Sequence, residues 1–210
     1  MARTEPFDRR ADDYDAWFEK HRAVYLSELQ AVRSLLPEHV NALEVGVGTG
    51  RFAEPLRIPS GIEPSRAMRE IARARGIRVL DAVAEALPFG DGVFDLVLMV
   101  TTLCFLDEVN LAFAEAWRVL VPGGHLVVGF LDRDTELGQA YDSRRGESQF
   151  YRMARFWSSS DVLDAFRRAR FDDLVCVQTI CEWPGAADDV EPPESGCGKG
   201  LFVVMRGRKV

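Results

Sequence analysis

The sequence predicts a doubly wound α/β fold whose mostly parallel sheet ends in an antiparallel hairpin at one edge. Three observations carry this expectation. The runs Ala42–Val45, Phe94–Val100 and His125–Leu131 are almost uninterruptedly apolar, as strands covered on both faces require. Stretches with helical apolar spacing separate such runs, so strand and helix alternate and right-handed crossovers build a parallel sheet. Finally, two strand patterns, Leu174–Ile180 and Leu201–Arg206, follow one another with only a loop between them, which turns that edge antiparallel.

Taken in order, the chain opens with a helical pattern around Asp13–Leu36. Trp17, Tyr25, Leu29, Val32 and Leu36 recur at intervals of three, four and eight, and Pro37 supplies the stop. The aromatic and acidic run F-D-R-R-A-D-D-Y-D-A-W-F leaves two readings for Tyr14 and Trp17: packing against the sheet, or a flap over a site. Residues 1–36 are accordingly assigned as an N-terminal helix or flap.

Next comes A-L-E-V-G-V-G-T-G-R-F, residues Ala42–Phe52, a short strand running into Gly46, Gly48 and Gly50 on alternate positions. Glycine backbones can take positive φ and let a ligand lie against them, and a following helix would point its unpaired N–H groups at that ligand. This is a nucleotide-type cradle. Pro55 and Pro59 allow only a short helix before strand Ile58–Ile62, which ends in G-I-E-P-S. Glu63 there stands at a strand's carboxyl end, where a carboxylate can accept hydrogen bonds from a ribose diol; a solvated loop acid is the plainer alternative.

Pro64 and Ser65 start a helix to about Ala74 with Met68 and Ile71 inward, and strand Ile77–Leu80 follows. A loop, Ala82–Gly92, leads to Phe94–Val100; Asp95, near the start of that strand, reads as structural. Thr101, Thr102, Leu103 and Cys104 leave the strand at its carboxyl end, where ligands sit in such folds. Helix Glu108–Leu120 is expected to stop at V-P-G-G with a left-handed glycine cap, and His125 reads as structural. Residues 132–157 are polar, rich in arginine and tyrosine and without strand pattern, a lid-like insertion. Ser158–Ser160 and Asp161 offer N-caps to helix Val162–Arg168, and a proline- and glycine-rich loop, Trp183–Lys199, joins the last two strands.

The 210 residues fit one domain, 1–210, in which roughly 70% of the chain's surface can be buried. A net charge of −7 and a pI near 5.1 argue against a broad nucleic-acid footprint. No apolar run approaches a membrane span, and the N-terminus lacks a leader's apolar region, so a cytoplasmic location with neither nucleic-acid nor membrane partner is expected. Cys104, Cys176, Cys181 and Cys197 have no C-x-x-C spacing, so neither a zinc site nor a disulfide framework is expected.

Spacing narrows the nucleotide. A dinucleotide fingerprint would need glycine where Arg51 stands, and no G-K-[ST] follows for a phosphate loop, so a nicotinamide dehydrogenase is disfavoured. The spacing E-x-G-x-G-x-G resembles motif I of the class I S-adenosylmethionine-dependent methyltransferases. Three further segments match in order: Glu63 in G-I-E-P-S, the A-E-A-L-P-F segment Ala84–Phe89, and R-V-L-V-P-G-G over Arg118–Gly124. The likeness covers roughly residues 40–131 and implies a Rossmann-like methyltransferase fold whose cofactor is S-adenosyl-L-methionine.

That resemblance implies a cofactor set of Glu44, Gly46, Gly48, Thr49, Gly50, Glu63, Pro64, Ser65, Met68, Val83, Ala84, Glu85, Val100 and Thr101. Val83 departs from the pattern, since many relatives carry there an aspartate for the adenine amino group. Adenine recognition then falls to backbone near Ala84, to Glu85, or to packing by Met68 and Val83. Substrate-side candidates are Tyr14, Trp17, Cys104, Tyr151 and Arg155, with Asp132 also near the site; no catalytic residue and no metal is assigned. The acidic body and short lid point to a small-molecule acceptor. A non-catalytic, regulatory cofactor-binding protein is the alternative, and the oligomeric state stays open.

Overall fold

A computed structural model describes residues 4–182 and 189–210. Three helices open the chain: α1 (Glu5–Arg9), α2 (Ala11–Lys20) and α3 (Arg22–Leu35). They are followed by β1 (Ala42–Val45), α4 (Ala53–Leu56), β2 (Ser60–Ile62), α5 (Arg66–Ala74), β3 (Arg78–Leu80) and β4 (Phe94–Val100). Then come α6 (Val109–Val119), β5 (Leu120–Leu131), α7 (Glu136–Ser143), α8 (Ser159–Arg168), β6 (Phe171–Thr179), β7 (Glu194–Ser195) and β8 (Phe202–Lys209).

The strands form one eight-stranded sheet in the order β3-β2-β1-β4-β5-β8-β6-β7. Strands β1 to β5 pair in parallel, whereas β8 enters antiparallel between β5 and β6, so the mostly parallel sheet with an antiparallel edge is observed. Strand order reverses between β1 and β4, and the crevice outside their carboxyl ends is where such folds bind ligands.

Strand alternation divides the core in two. Val97 and Met99 of β4 pack with Phe113 of α6 and Phe166 of α8 on one face, the two phenyl rings meeting edge to face at 5.0 Å. Leu96, Leu98 and Val100 point the other way, against Leu29, Val32 and Leu35 of α3. At about 2 kcal/mol for each fully buried aliphatic side chain, this two-sided burial is why β4 tolerates no polar interior residue.

Several boundaries differ from the sequence expectations, each for a local reason. The helix expected over Asp13–Leu36 is broken at His21 (φ −114°, ψ 48°). The break lets α3 lie on the sheet while α2 turns over the glycine loop, where Asp15 meets Arg51. No left-handed glycine cap ends α6: Leu120 is already extended (ψ 142°) and belongs to β5. Register along β4 moves from Phe94↔Leu120 to Leu96↔His125, so residues 121–124 bulge out of the pairing. A Cβ on Gly124 would lie 3.1 Å from the Asp95 carbonyl, so glycine serves close approach there.

The strand expected from Ile58 starts at Ser60, because the Ile58 amide closes back on the Ala53 carbonyl at the end of α4. Segment 132–157 carries α7 and two short 3-10 turns. In the loop expected over Trp183–Lys199, β7 pairs with β6, and residues 183–188 lie outside the described ones. Asp95 is structural as expected, accepting the Val40 and Asn41 amides at 2.7 and 3.0 Å.

Candidate functional site

Beyond the carboxyl ends of β1, β2 and β4 lies a cavity of about 350 Å³, a size suited to a cofactor. Gly46, Gly48, Glu63, Pro64, Met68, Val83, Ala84, Glu85, Val100 and Thr101 line it, together with Tyr14. Thr102, expected at the ligand end of its strand, also lines it, as do Phe7, Leu106 and Leu111, which sequence reasoning missed. Leu111 is 54% exposed despite its position on α6, an apolar side chain left for a ligand to cover. Glu44, Thr49, Gly50 and Ser65, by contrast, do not line the cavity.

Each of those four acts from behind. Gly50 has φ +88°, and a Cβ there would stand 2.5 Å from Ile77 Cδ1, so it serves packing of the glycine loop on its neighbours. Thr49 is buried, and its carbonyl accepts from Arg75 at 2.5 Å. The Ser65 amide donates to Glu63 Oε1 at 2.8 Å, and its hydroxyl donates to Asp8 of α1 at 2.7 Å while capping α5. Glu44 is 2% exposed at mid-strand, with Oε2 buried and without a hydrogen-bond partner. Burial pushes its carboxyl well above the ordinary range, with Glu63 adding to the shift.

Glu63 is the best-held polar group on the cavity wall. Its Oε2 accepts the Gly48 amide at 3.0 Å, which fixes the carboxylate against the glycine loop. Burial raises its carboxyl to about 7, against the lowering effect of the Ser65 and Gly48 amides and of Arg69. Each oxygen keeps a lone pair for a further donor. Gly48, at φ +54°, meets only Tyr14 Cε1 at 3.8 Å where a Cβ would be, so the loop stands open toward the cavity.

The other motif segments are tied together by Arg118. Its guanidinium donates to the Leu87 and Phe89 carbonyls and to Glu115, while Glu115 accepts the Leu87 amide at 2.8 Å. The R-V-L-V-P-G-G arginine thus braces the A-E-A-L-P-F loop. Glu85 Oε1 takes the Asp107 and Glu108 amides at 3.0 and 3.2 Å, capping the approach to α6. That engagement leaves Glu85 a weaker candidate for an adenine contact than the backbone beside it.

A second cavity, of about 290 Å³, adjoins the first, and Tyr14 and Thr101 line both. Trp17, Phe18, Phe52, Tyr141, Phe150 and Tyr151 give it aromatic walls, and His21, Glu28, Thr101 and Ser148 also line it. Thr101 sits at the strand end with φ +50°, an uncommon conformation for threonine that turns the chain between the two spaces. Burial, with the nearby Glu63 and Glu28 carboxyls, pushes the Tyr14 hydroxyl well above its ordinary value.

Of the substrate-side candidates, Tyr14, Trp17 and Tyr151 are brought together at this second cavity, and three others are not. Cys104 is buried elsewhere, its thiol donating to the Thr101 carbonyl at 3.2 Å and pushed up by burial. Arg155 is exposed, its guanidinium 4.5 Å over the Trp157 ring, because Ala154 and Phe156 on either side take the buried positions. Asp132 is buried at the junction of α7 and α8, accepting the Asp134 amide and the Ser159 hydroxyl. Glu28 was missed. Its signal was an acid on the stripe Tyr25, Glu28, Val32, Leu35, whose other members are core residues.

Comparison with known proteins agrees with this geometry. The family model described as a methyltransferase domain matches residues 43–128. A protein of unassigned function from Methanocaldococcus jannaschii is 39% identical over 97% of this chain and 98% of its own length. Malonyl-[acyl-carrier protein] O-methyltransferase from Geobacter sulfurreducens is 36% identical, over 79% of this chain and 68% of its own length. A crystal structure from Thermotoga maritima superposes with a TM-score of 0.94 at 48% identity, covering 98% of this chain and 99% of that one. That protein is described as a SAM-dependent methyltransferase and possible histamine N-methyltransferase.

Proposed function

The chain belongs to the S-adenosylmethionine-dependent methyltransferases, enzymes that bind this cofactor, and from that premise we propose that it methylates a small-molecule acceptor held in the second cavity. The family decides against the non-catalytic binder. The observation that carries the acceptor reading is the pair of cavities meeting at Tyr14 and Thr101, one lined by the glycine loop and Glu63, the other by aromatic rings.

The residues fit the cofactor on two counts: the open backbone at Gly48 and the lone pairs left on Glu63. Glu63 would hold the ribose hydroxyls, and the Gly46–Gly48 backbone the methionyl end, with Glu44 buried behind it. The backbone of Val83 and Ala84, with Met68 and Leu111, would enclose the adenine. When bound, the cofactor supplies an electrophilic methyl group on a sulfonium. What this chain must add is positioning with water excluded, which alone is worth about 7–11 kcal/mol in well-oriented reactions. Segments 1–36 and 132–157 act in this reading as flap and lid, because Tyr14, Trp17 and His21 of the first and Tyr141, Phe150 and Tyr151 of the second line the second cavity.

The names of relatives differ in acceptor, from a malonyl group on a carrier protein to, as a possible acceptor, histamine, so the family does not choose one. Incubation with methyl-labelled cofactor and a fractionated metabolite pool tests the reading. Label in a low-mass product is expected; label confined to protein or nucleic acid would overturn it.

A further inference from the structure

Among the described residues the second cavity has one carboxyl side chain on its wall, Glu28, and none of them bonds to it. Glu28 projects from the buried side of α3, is 6% exposed, and makes no hydrogen bond or ion pair with any described residue. Its neighbour Ser27 is fully engaged, donating to the Ala23 carbonyl and accepting the Glu191 amide. A buried carboxyl with no donor costs several kcal/mol unless something supplies one, so an acid aimed into a cavity asks for a donor from the ligand.

The rest of the wall says which kind of donor. Among the described residues no lysine or arginine lines the cavity, and the one basic side chain there, His21, stacks on Trp17 at 4.8 Å with its charged form disfavoured by burial. Tyr14, Trp17, Tyr141, Phe150 and Tyr151 present rings, whose electron-rich faces attract cations and repel anions. A carboxylate with aromatic walls is complementary to an ammonium group and hostile to an acid.

We propose that the acceptor carries a protonatable amine, which Glu28 binds through charge-assisted hydrogen bonds while the aromatic walls enclose its apolar remainder. This rests on the reading that the second cavity holds the acceptor, and it makes Glu28 a specificity residue rather than a catalytic one. The volume of about 290 Å³ suits a small aryl- or alkylamine.

The test uses the full chain loaded with S-adenosylhomocysteine and a panel of arylalkyl and alkyl amines, each paired with the alcohol of the same skeleton: 2-phenylethylamine with 2-phenylethanol, cyclohexylmethylamine with cyclohexylmethanol. Calorimetry should show at least one amine binding about tenfold or more tighter than its alcohol. Glu28→Gln should abolish that preference while leaving S-adenosylhomocysteine affinity unchanged. Equal affinity for each pair in the wild-type chain, which needs no variant, overturns the proposal, as does a preference that survives Glu28→Gln. Methyl transfer to the alcohols alone would overturn the amine and leave the small-molecule reading standing. Binding of neither class, with label passing only to macromolecules, would overturn both.

Discussion

Arg51 grips Asp15 with two prongs, its Nε and Nη2 donating to Oδ1 and Oδ2 at 2.8 and 2.6 Å, and so fastens α2 to the residue that follows the glycine loop. Arg75 of the segment after α5 joins the same carboxylate at 2.9 Å. The pair is mostly buried, with side chains 16% and 19% exposed, so solvent screens it only in part. Burial by itself would raise the Asp15 carboxyl, but the two guanidiniums outweigh it and hold it well below the ordinary range.

Asp15→Asn leaves two guanidiniums without their anion and frees the helix that carries Tyr14. An expected cost of about 2–4 kcal/mol in urea unfolding follows from breaking a partly buried, hydrogen-bonded pair. Because the native carboxyl is depressed, its contribution is present above the unfolded value of about 3.9 and disappears as pH falls through the native one. S-adenosylhomocysteine affinity should drop about tenfold through the loosened flap. An unchanged affinity would show that α2 does not cover the bound cofactor.

Glu63 gives a pH signature. Its carboxyl is raised to about 7 by burial, while the Gly48 and Ser65 amides and Arg69 lower it and Asp8 raises it. Tyr14 and Glu44 also face it. Hydroxyl donors favour the ionised form, so affinity for S-adenosylhomocysteine should fall as pH drops below about 7 and level off above it. Glu63→Gln should flatten that dependence and weaken binding at least tenfold near pH 8, by about 1.4 kcal/mol or more. A pH profile that Glu63→Gln leaves unaltered would remove Glu63 from the ribose.

Legibility in the sequence followed the kind of force at work. Strand β4 was readable to the residue, because two-sided burial demands a nearly unbroken apolar run, and this one is too short for a buried helix. Glu63 could be placed at a strand end because strand, turn and helix start are all local signals. His21 could not be read as a break, since the apolar spacing from Trp17 to Tyr25 is equally good for one straight helix; the pull of Arg51 on Asp15 decides it. Cys104 and Asp132 looked alike in sequence as polar groups near strand ends, and Arg155 as a cation in the lid-like segment. Their separation from the cavities depends on which neighbours take the buried positions, a tertiary fact.

Gly46 offers a test of the loop itself. It has φ +70°, and a Cβ would lie 2.6 Å from the Thr102 side chain, whose hydroxyl bridges the Val45 and Val100 carbonyls at 3.1 and 3.2 Å. Gly46→Ala should cost about 2–4 kcal/mol, part from the left-handed backbone and part from the clash. Adding Thr102→Ala should return the clash portion and not the backbone portion, a coupling that a double-mutant cycle in urea would read. Strict additivity would mean that the two residues do not touch.

Glu28 should cost the folded chain stability. Burial raises its carboxyl to about 8, with the hydroxyls of Tyr14, Tyr141 and Tyr151 close enough to feel its charge and His21 on the same cavity wall. The unfolded value is about 4.3, so as pH rises from there the unfolded chain ionises freely while the folded one resists, and stability falls until the native value is passed. Glu28→Gln removes that loss. The variant should therefore be more stable than wild type near pH 8, by up to about 3 kcal/mol, with the gap shrinking toward about pH 5. Melting curves at both pH values read it directly. A gap that stays constant would mean that Glu28 ionises in the folded chain as it does in the unfolded one, and that some donor already meets it.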